Sequence, residues 1–314
     1  MPRFDVTIAG ELNLDLILYG LPPQMPAERE LLAERMVLTL GSSSAIVAHN
    51  LATLGSRVGF QSRIGDDQLG QMALERLAQA GVDVSQVCRV PAPTQTGLTV
   101  ILQHTAGRNI LTFPGSITEL TLADLDLESL SDSRLLHLSS YYLQKGLRPQ
   151  VGKLFRKLKA AGLMISLDTN DDPDDRWEGD LRDVLGYVDI FLPNAREARK
   201  IVETEDLDLA VNKLSELVPL VVVKLGSEGA MAQRGRERVV SPAVRVTAVD
   251  PVGAGDSFDA GFLHQFLLGA DLVTCLATGN LAGALSATAP GGTEAFRDAA
   301  HRQRFFREHS RTST

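Results

Sequence analysis

From Leu135 onward the chain alternates short apolar runs with amphipathic helical stretches, and this alternation restricts the fold more than any other feature. Leu135–Leu138, Met164–Asp168, Val188–Leu192 and Leu220–Leu225 read as buried strands. Helical patterns lie between them, around Gln150–Ala161, Ala195–Val202 and Leu207–Leu217. Such a succession predicts an α/β fold with a mostly parallel central sheet and helices on both faces, a three-layer αβα arrangement.

The N-terminal part follows the same logic with two interruptions. Phe4–Ala9, Leu14–Leu18 and Val58–Ile64 read as strands, and Ala45–Leu54 as a helix stopping at Gly55. Asp66–Ala80 places Leu69, Met72, Ala73 and Leu77 on one helical face, with Gly81 as its stop. The interruptions are Leu14–Leu40, which holds no convincing long helix, and Thr96–Phe113, which holds short β segments at Leu98–Leu102 and Asn109–Phe113. Together they predict a small sheet projecting from the main domain. The expected division is a main domain of 1–10, 41–93 and 118–314, and a small β unit of 11–40 and 94–117.

Composition narrows the function classes. The length of 314 residues fits a single α/β domain with a small appendage. Aromatic residues at 5% argue against stacking platforms for single-stranded nucleic acid. The net charge of −8 supplies no general attraction to phosphate backbones or anionic lipid. The start MPRFDVTIAG lacks the basic opening and apolar core of a signal peptide, and no apolar run reaches about 18 residues. A cytoplasmic location, with neither nucleic acid nor membrane as partner, is the expectation. Cys88 and Cys275 read as small hydrophobes, and Asp171–Asp175 as a solvated loop, since Pro173 stands where a calcium loop beginning at Asp168 would need glycine. The basic run Arg302–Arg311 reads as a frayed, solvated helix end.

The chemistry concentrates in Val244–Gly269. Val244, Val246 and Ala248 alternate as in a strand, and Phe258, Phe262, Leu263, Phe266 and Leu267 follow helical spacing. Gly253-Ala254-Gly255 then falls at a strand-to-helix switch. Free backbone N–H groups and the positive end of the helix dipole make such a place an anion site, and glycines let the backbone approach a phosphate. Asp256 follows at once. It either caps the helix or serves as a general base for a substrate hydroxyl, and the local pattern leaves both open.

Asp250-Pro-Val-Gly-Ala-Gly-Asp256-Ser-Phe resembles the D-T-x-G-A-G-D-x-F signature of the ribokinase-like, PfkB carbohydrate kinase family. Other segments resemble family elements in order: Gly10-Glu-Leu-Asn13-Leu-Asp15, Gly41 through Gly55, Gly65-Asp66-Asp67 through Gly70, Asp168-Thr-Asn170, Asn194-Ala-Arg-Glu197, and Lys224-Leu-Gly226-Ser-Glu-Gly229. The resemblance implies an ATP-dependent kinase acting on a hydroxyl of a small sugar-like molecule. Asp256 would be the base, and the amides of Gly253, Ala254 and Gly255 the anion hole. Asn13, Asp15, Gly41, Ser42 and Ser43 would meet the acceptor. Asn194, Lys224, Gly226, Gly229 and Asn280 would line the nucleotide site, with Glu197 organising Mg²⁺ through water. The small β unit would be a lid that mediates a homodimer. Asp250 would be a carboxylate ligand to K⁺, beside carbonyls of the Ala289–Gly292 loop.

One departure stands out. The family has Gly-Gly and then an Asn that contacts the sugar; here those positions hold Ser42 and Ile46. Ser42, Ser43 and Ser44 either supply other donors or start the following helix, and Ile46 would face an apolar part of the acceptor. Other classes fit less well: there is no G-x-x-x-x-G-K-[ST] phosphate loop, no early G-x-G-x-x-G, and the six histidines are scattered. A nucleoside kinase of the same fold, or a non-catalytic binder of sugar or nucleotide, is the alternative.

Overall fold

The computed structural model describes residues 2–177 and 179–309. Its strands are β1 (Phe4–Ala9), β2 (Asn13–Leu21), β3 (Arg35–Leu40), β4 (Val58–Gly65), β5 (Asp83–Val90), β6 (Gly97–His104) and β7 (Gly107–Phe113). They continue with β8 (Ser133–Leu138), β9 (Met164–Leu167), β10 (Ile190–Phe191), β11 (Leu220–Lys224), β12 (Ala230–Arg234) and β13 (Glu237–Ser241). Nine form one sheet in the order β13-β12-β11-β10-β9-β8-β1-β4-β5, parallel except at β12 and β13.

Both faces of that sheet are covered, as the unbroken apolar runs require. Successive side chains of a strand point to opposite faces. Val222 therefore joins a core layer with helices Ser43–Leu54, Ala254–Leu267 and Leu272–Ala287, whereas Val221 and Val223 join a second layer with helices Val151–Ala160 and Leu207–Ser215. The expected αβα sandwich is thus present.

From β1 the chain proceeds outward to β4 and β5, then returns to build β8 through β11 on the other side. The order reverses between β1 and β8, and the crevice beyond the carboxyl ends of strands at such a switch is where ligands bind. The loops following β9 and β10 carry Asn170 and Asn194, Asn13 opens β2 just past the end of β1, and β11 ends at Lys224.

The remaining four strands form a separate sheet, β3-β2-β6-β7, from the two segments that interrupted the sequence pattern. Its registers put Asp15 opposite Thr39 and Thr99 on one face, while Leu16, Leu38, Val100 and Leu111 share the other. Asp67 clips this sheet to the main one: its carboxylate accepts from Gly70 N at 2.8 Å, Thr96 N at 2.8 Å and Thr96 Oγ1 at 2.7 Å.

Two sequence expectations are corrected. Val244–Ala248 is extended but belongs to no sheet; Val244 and Val246 pack against the cluster around Leu281 and Leu285 instead of pairing with a strand. The acidic loop is only partly solvated: Asp172 is buried and accepts from the amides of Asp174, Arg176 and Trp177. Asp171 and Asp175 pair with Arg196. The basic C-terminal run forms helix Ala299–His309 up to its last described residue; its expected end at Arg311 lies outside the described residues.

Candidate active site

Asp256 sits in the first turn of helix Ala254–Leu267, but it is not the cap. The N-cap is Gly253, at φ 73°. That left-handed conformation suits glycine, and a Cβ there would fall 2.4 Å from Gly292 Cα, so two backbone turns close on each other without side chains. Ala254 N makes a long 3.3 Å bond to Pro251 O, which leaves the neighbouring glycine amides the better placed to receive an anion.

The Asp256 carboxylate is buried and hydrogen-bonded to the Ser43 hydroxyl and to Asn170 Nδ2, the latter at 3.4 Å. Burial and the neighbouring Asp168 push it up to about 6, with Lys224, Ser43 and Asn170 opposing. A carboxyl that ionises near neutrality and is steered by two donors can take a proton from an alcohol. Asn170 is itself strained into φ 51°, where its Oδ1 accepts from Ser140 N at 2.8 Å.

On one side of Asp256 lies a cavity of about 720 Å³, within the range of small-molecule sites. Gly226, Gly229, Val246, Ala254, Gly255 and Asn280 are among its walls. The segment 243–248 expected as a strand is one of its flanks. Gly229, at φ 104°, lets β11 turn into β12 against Ser241 O. Asn280 Nδ2 donates to Ser241 O, Ser241 Oγ and Pro242 O, holding that wall in place.

Lys224 also reaches this cavity, yet its ammonium is paired. Nζ lies 2.6 Å from Asp168 Oδ2 and 3.2 Å from Asp259 Oδ2, and both carboxyls are fully buried. Burial pushes Asp259 well up, whereas Lys224 holds the Asp168 carboxylate low; Asp259 Oδ1 is buried without a hydrogen-bond partner among the described residues. Asp259 was missed in the sequence. Its signal was a charged residue within the apolar helix face of Phe258 and Phe262.

Asn194 and Glu197 form a capping box rather than two neighbours on a helix face. Asn194 is the N-cap of Ala195–Ile201, its Oδ1 accepts from Glu197 N at 3.0 Å, and Glu197 Oε2 accepts from Asn194 N at 2.8 Å. Glu197 is buried although it carries a carboxyl. Burial and Asp168 raise it to about 7. Among the described residues no group of three or more His, Cys, Asp or Glu is placed to hold a metal ion.

Across Asp256 from the cavity stands Asp15, raised to about 7 by burial, Asp256 and Asp250. Gly41 makes room for it, since a Cβ there would meet Asp15 Oδ1 at 2.1 Å. Asn13 Nδ2 donates to Leu14 O at 3.0 Å and to Thr99 Oγ1 at 3.2 Å, and Thr99 and Asn13 favour the ionised form of Asp15.

The three serines separate in role. Ser42 caps helix Ser43–Leu54 and donates to Glu11 O, Ser43 meets Asp256, and Ser44 donates to the buried Glu11 carboxylate at 2.6 Å. Ile46 is buried, and its side chain lies against Gly253 and Gly292, beneath the turn. Asp250 is also engaged, its two oxygens accepting from Tyr19, Gln103, Val252 and Gly291.

Comparisons with known proteins point to one family. The chain matches the pfkB family of carbohydrate kinases over residues 3–299. It is 30% identical over 235 residues to an uncharacterized sugar kinase of Archaeoglobus fulgidus, spanning 74% of this chain and 92% of that protein. It is 31% identical over 265 residues to 2-dehydro-3-deoxygluconokinase of Bacillus subtilis, spanning 80% and 82%. A solved structure described as ribokinase II of E. coli in complex with ATP and Mg²⁺ superposes with a TM-score of 0.84 at 25% identity, over 98% of this chain and 100% of that one. The chain belongs to the pfkB family and is an ATP-dependent carbohydrate kinase.

Proposed function

We propose that the protein transfers the γ-phosphoryl group of ATP to a hydroxyl of a small neutral sugar-like acceptor, with Asp256 as general base. The observation that carries this reading is the position of Asp256: a buried carboxyl at the head of a helix, directly after a glycine turn, between the 720 Å³ cavity and Asp15. Asp256 takes the hydroxyl proton while the amides of Gly253, Ala254 and Gly255 receive charge on the transferred phosphoryl. Gly226, Gly229, Asn280 and the stem of Lys224 shape the nucleotide site. Asn194 and Glu197 hold Mg²⁺ through water; the ion offsets phosphate charge when bound.

The charge around Asp15 speaks to the acceptor. The leading influences that oppose its raised pKa are hydrogen bonds from Thr99 and Asn13, while Asp256 and Asp250 add negative field. A polyol donates hydroxyls to such a carboxylate, whereas a sugar acid or sugar phosphate would be repelled. The pentose or hexose hydroxyls of a free sugar or a nucleoside fit best. The test is a screen of neutral sugars, nucleosides, sugar acids and sugar phosphates by ADP release, with Asp256→Asn as control. A neutral acceptor is expected to rank first; a sugar acid ranking first overturns the charge argument, and turnover surviving in Asp256→Asn overturns the base.

The segments 11–40 and 94–117 act as the lid in this reading, since one face of their sheet carries Asp15 and Thr99 over the site. The opposite face is a continuous apolar surface of Leu16, Leu18, Leu38, Val100, Leu111 and Phe113, and Met36, Leu111 and Phe113 are exposed. Its occupant is a second copy of this chain, giving a dimer through the lid.

A further inference from the structure

Asp250 opens the segment that ends in Asp256, and it is completely buried. Four donors converge on its carboxylate: Tyr19 OH at 2.7 Å, Gln103 Nε2 at 3.2 Å, Val252 N at 3.0 Å and Gly291 N at 3.3 Å. Two come from the lid sheet. Tyr19 on β2 lies four residues from Asp15, and Gln103 on β6 lies four from Thr99, so the period of two puts all four on one face. The other two belong to the turns that meet at Gly253 and Gly292. One carboxylate thus ties the acceptor-facing side of the lid to both backbone turns of the anion hole.

These contacts also decide whether a monovalent cation fits. A K⁺ ion at Asp250 would draw on its oxygens and on carbonyls of the Ala289–Gly292 loop. Each Asp250 oxygen already accepts two donors. The Gly292 carbonyl accepts from Asn50 Nδ2 at 3.0 Å, with Ser286 Oγ at 3.5 Å; Ser257 Oγ, 3.3 Å away, donates more closely to Gly253 O at 2.7 Å. Asp250 therefore does not fit the ion, because coordination would strip the donors that shape the turn.

We infer that Tyr19 and Gln103 are positioning residues that latch the lid onto Asp250 and hold the anion-hole turn in the place of a cation. Tyr19 suits this work: burial and Asp250 push its phenol upward, so it remains a donor, and the Arg35 guanidinium lies 4.1 Å from its ring centroid. The inference rests on the reading that the Gly253–Gly255 turn receives the transferred phosphoryl.

The experiment uses Mg–ATP with D-ribose, D-fructose, adenosine and 2-dehydro-3-deoxygluconate, in chlorides of K⁺, Na⁺ and tetramethylammonium. Native enzyme is compared with Tyr19→Phe, Gln103→Leu and the double variant. Native turnover is expected to agree within about twofold across the three salts. In the double variant kcat falls by about 10-fold to 100-fold, the scale of a displaced catalytic group, with acceptor KM changed much less. Strong activation of the native enzyme by K⁺, or native kcat in the double variant, overturns the inference. Circular dichroism and melting check folding; if the double variant is unfolded, Tyr19→Phe alone, which loses one hydroxyl, must show the kcat loss. Asp256→Asn separates the two readings: if it retains turnover the base assignment fails, while the salt series still judges the latch.

Discussion

Lys224 Nζ lies 2.6 Å from Asp168 Oδ2, and this pair, with Asp259 beside it, is buried next to the 720 Å³ cavity and sets the field on Asp256. The lysine is therefore not a free cation awaiting phosphate. Its charge holds Asp168 ionised and opposes the upward pressure on Asp256, so it acts on the base through the field it sets.

Lys224→Met leaves two buried carboxyls without their cation. Removing one partner of a buried pair costs about 3–5 kcal/mol, so urea unfolding should show a loss of that size. Adding Asp168→Asn should recover part of it. A single variant as stable as the native protein would show that the pair contributes little.

Asp256→Asn should lower kcat by about 10² to 10⁴, the usual share of a general base, with ATP binding retained. Its effect on stability has a definite sign. The folded carboxyl is raised from 3.8 to about 6, so keeping it ionised opposes folding once pH rises through that range. The variant should melt higher than native protein at neutral pH and lose that advantage below about pH 4. Equal melting temperatures at both pH values would contradict a raised folded pKa.

The kcat/KM profile should fall as pH drops through about 6, where Asp256 gains its proton. Ser43→Ala removes a hydrogen bond that favours the ionised form, and should move the acid limb upward by roughly one unit. A limb that stays in place would detach Ser43 from the base.

Glu197→Gln keeps a residue able to complete the capping box, so the helix should persist. The Mg²⁺ concentration for half-maximal activity should rise by about 10-fold or more, with acceptor binding by calorimetry unchanged. An unaltered Mg²⁺ titration would leave Glu197 as a cap alone.

Leu111→Lys with Phe113→Lys places charge on the outer face of the lid. Sedimentation should find the native chain dimeric and the variant monomeric, without loss of melting temperature in the main domain. A native monomer would remove the lid as an interface.

Much was legible because it is encoded locally. The helical face of Leu69, Met72, Ala73 and Leu77, the apolar strands β8 to β11, and the glycine turn before Asp256 each follow from spacing and backbone preference within a few residues. Asn194 with Glu197 was visible as a pair, though the sequence could not say that Glu197 is buried. Tertiary structure decided the rest. Val244–Ala248 has strand-like alternation but no neighbouring strand to bond, so it became a cavity wall. Ile46 stands beneath Gly253, 207 residues away in sequence, a contact that no local pattern foretells. Lys224 and Asp168 stand 56 residues apart in sequence, and Tyr19 and Asp250 stand 231 apart. A carboxylate's partners depend on which loops the strand order brings to one end of the sheet. The pattern along the chain states where a charge is; only the assembled layers determine whether it meets water, a lysine or a tyrosine from the lid.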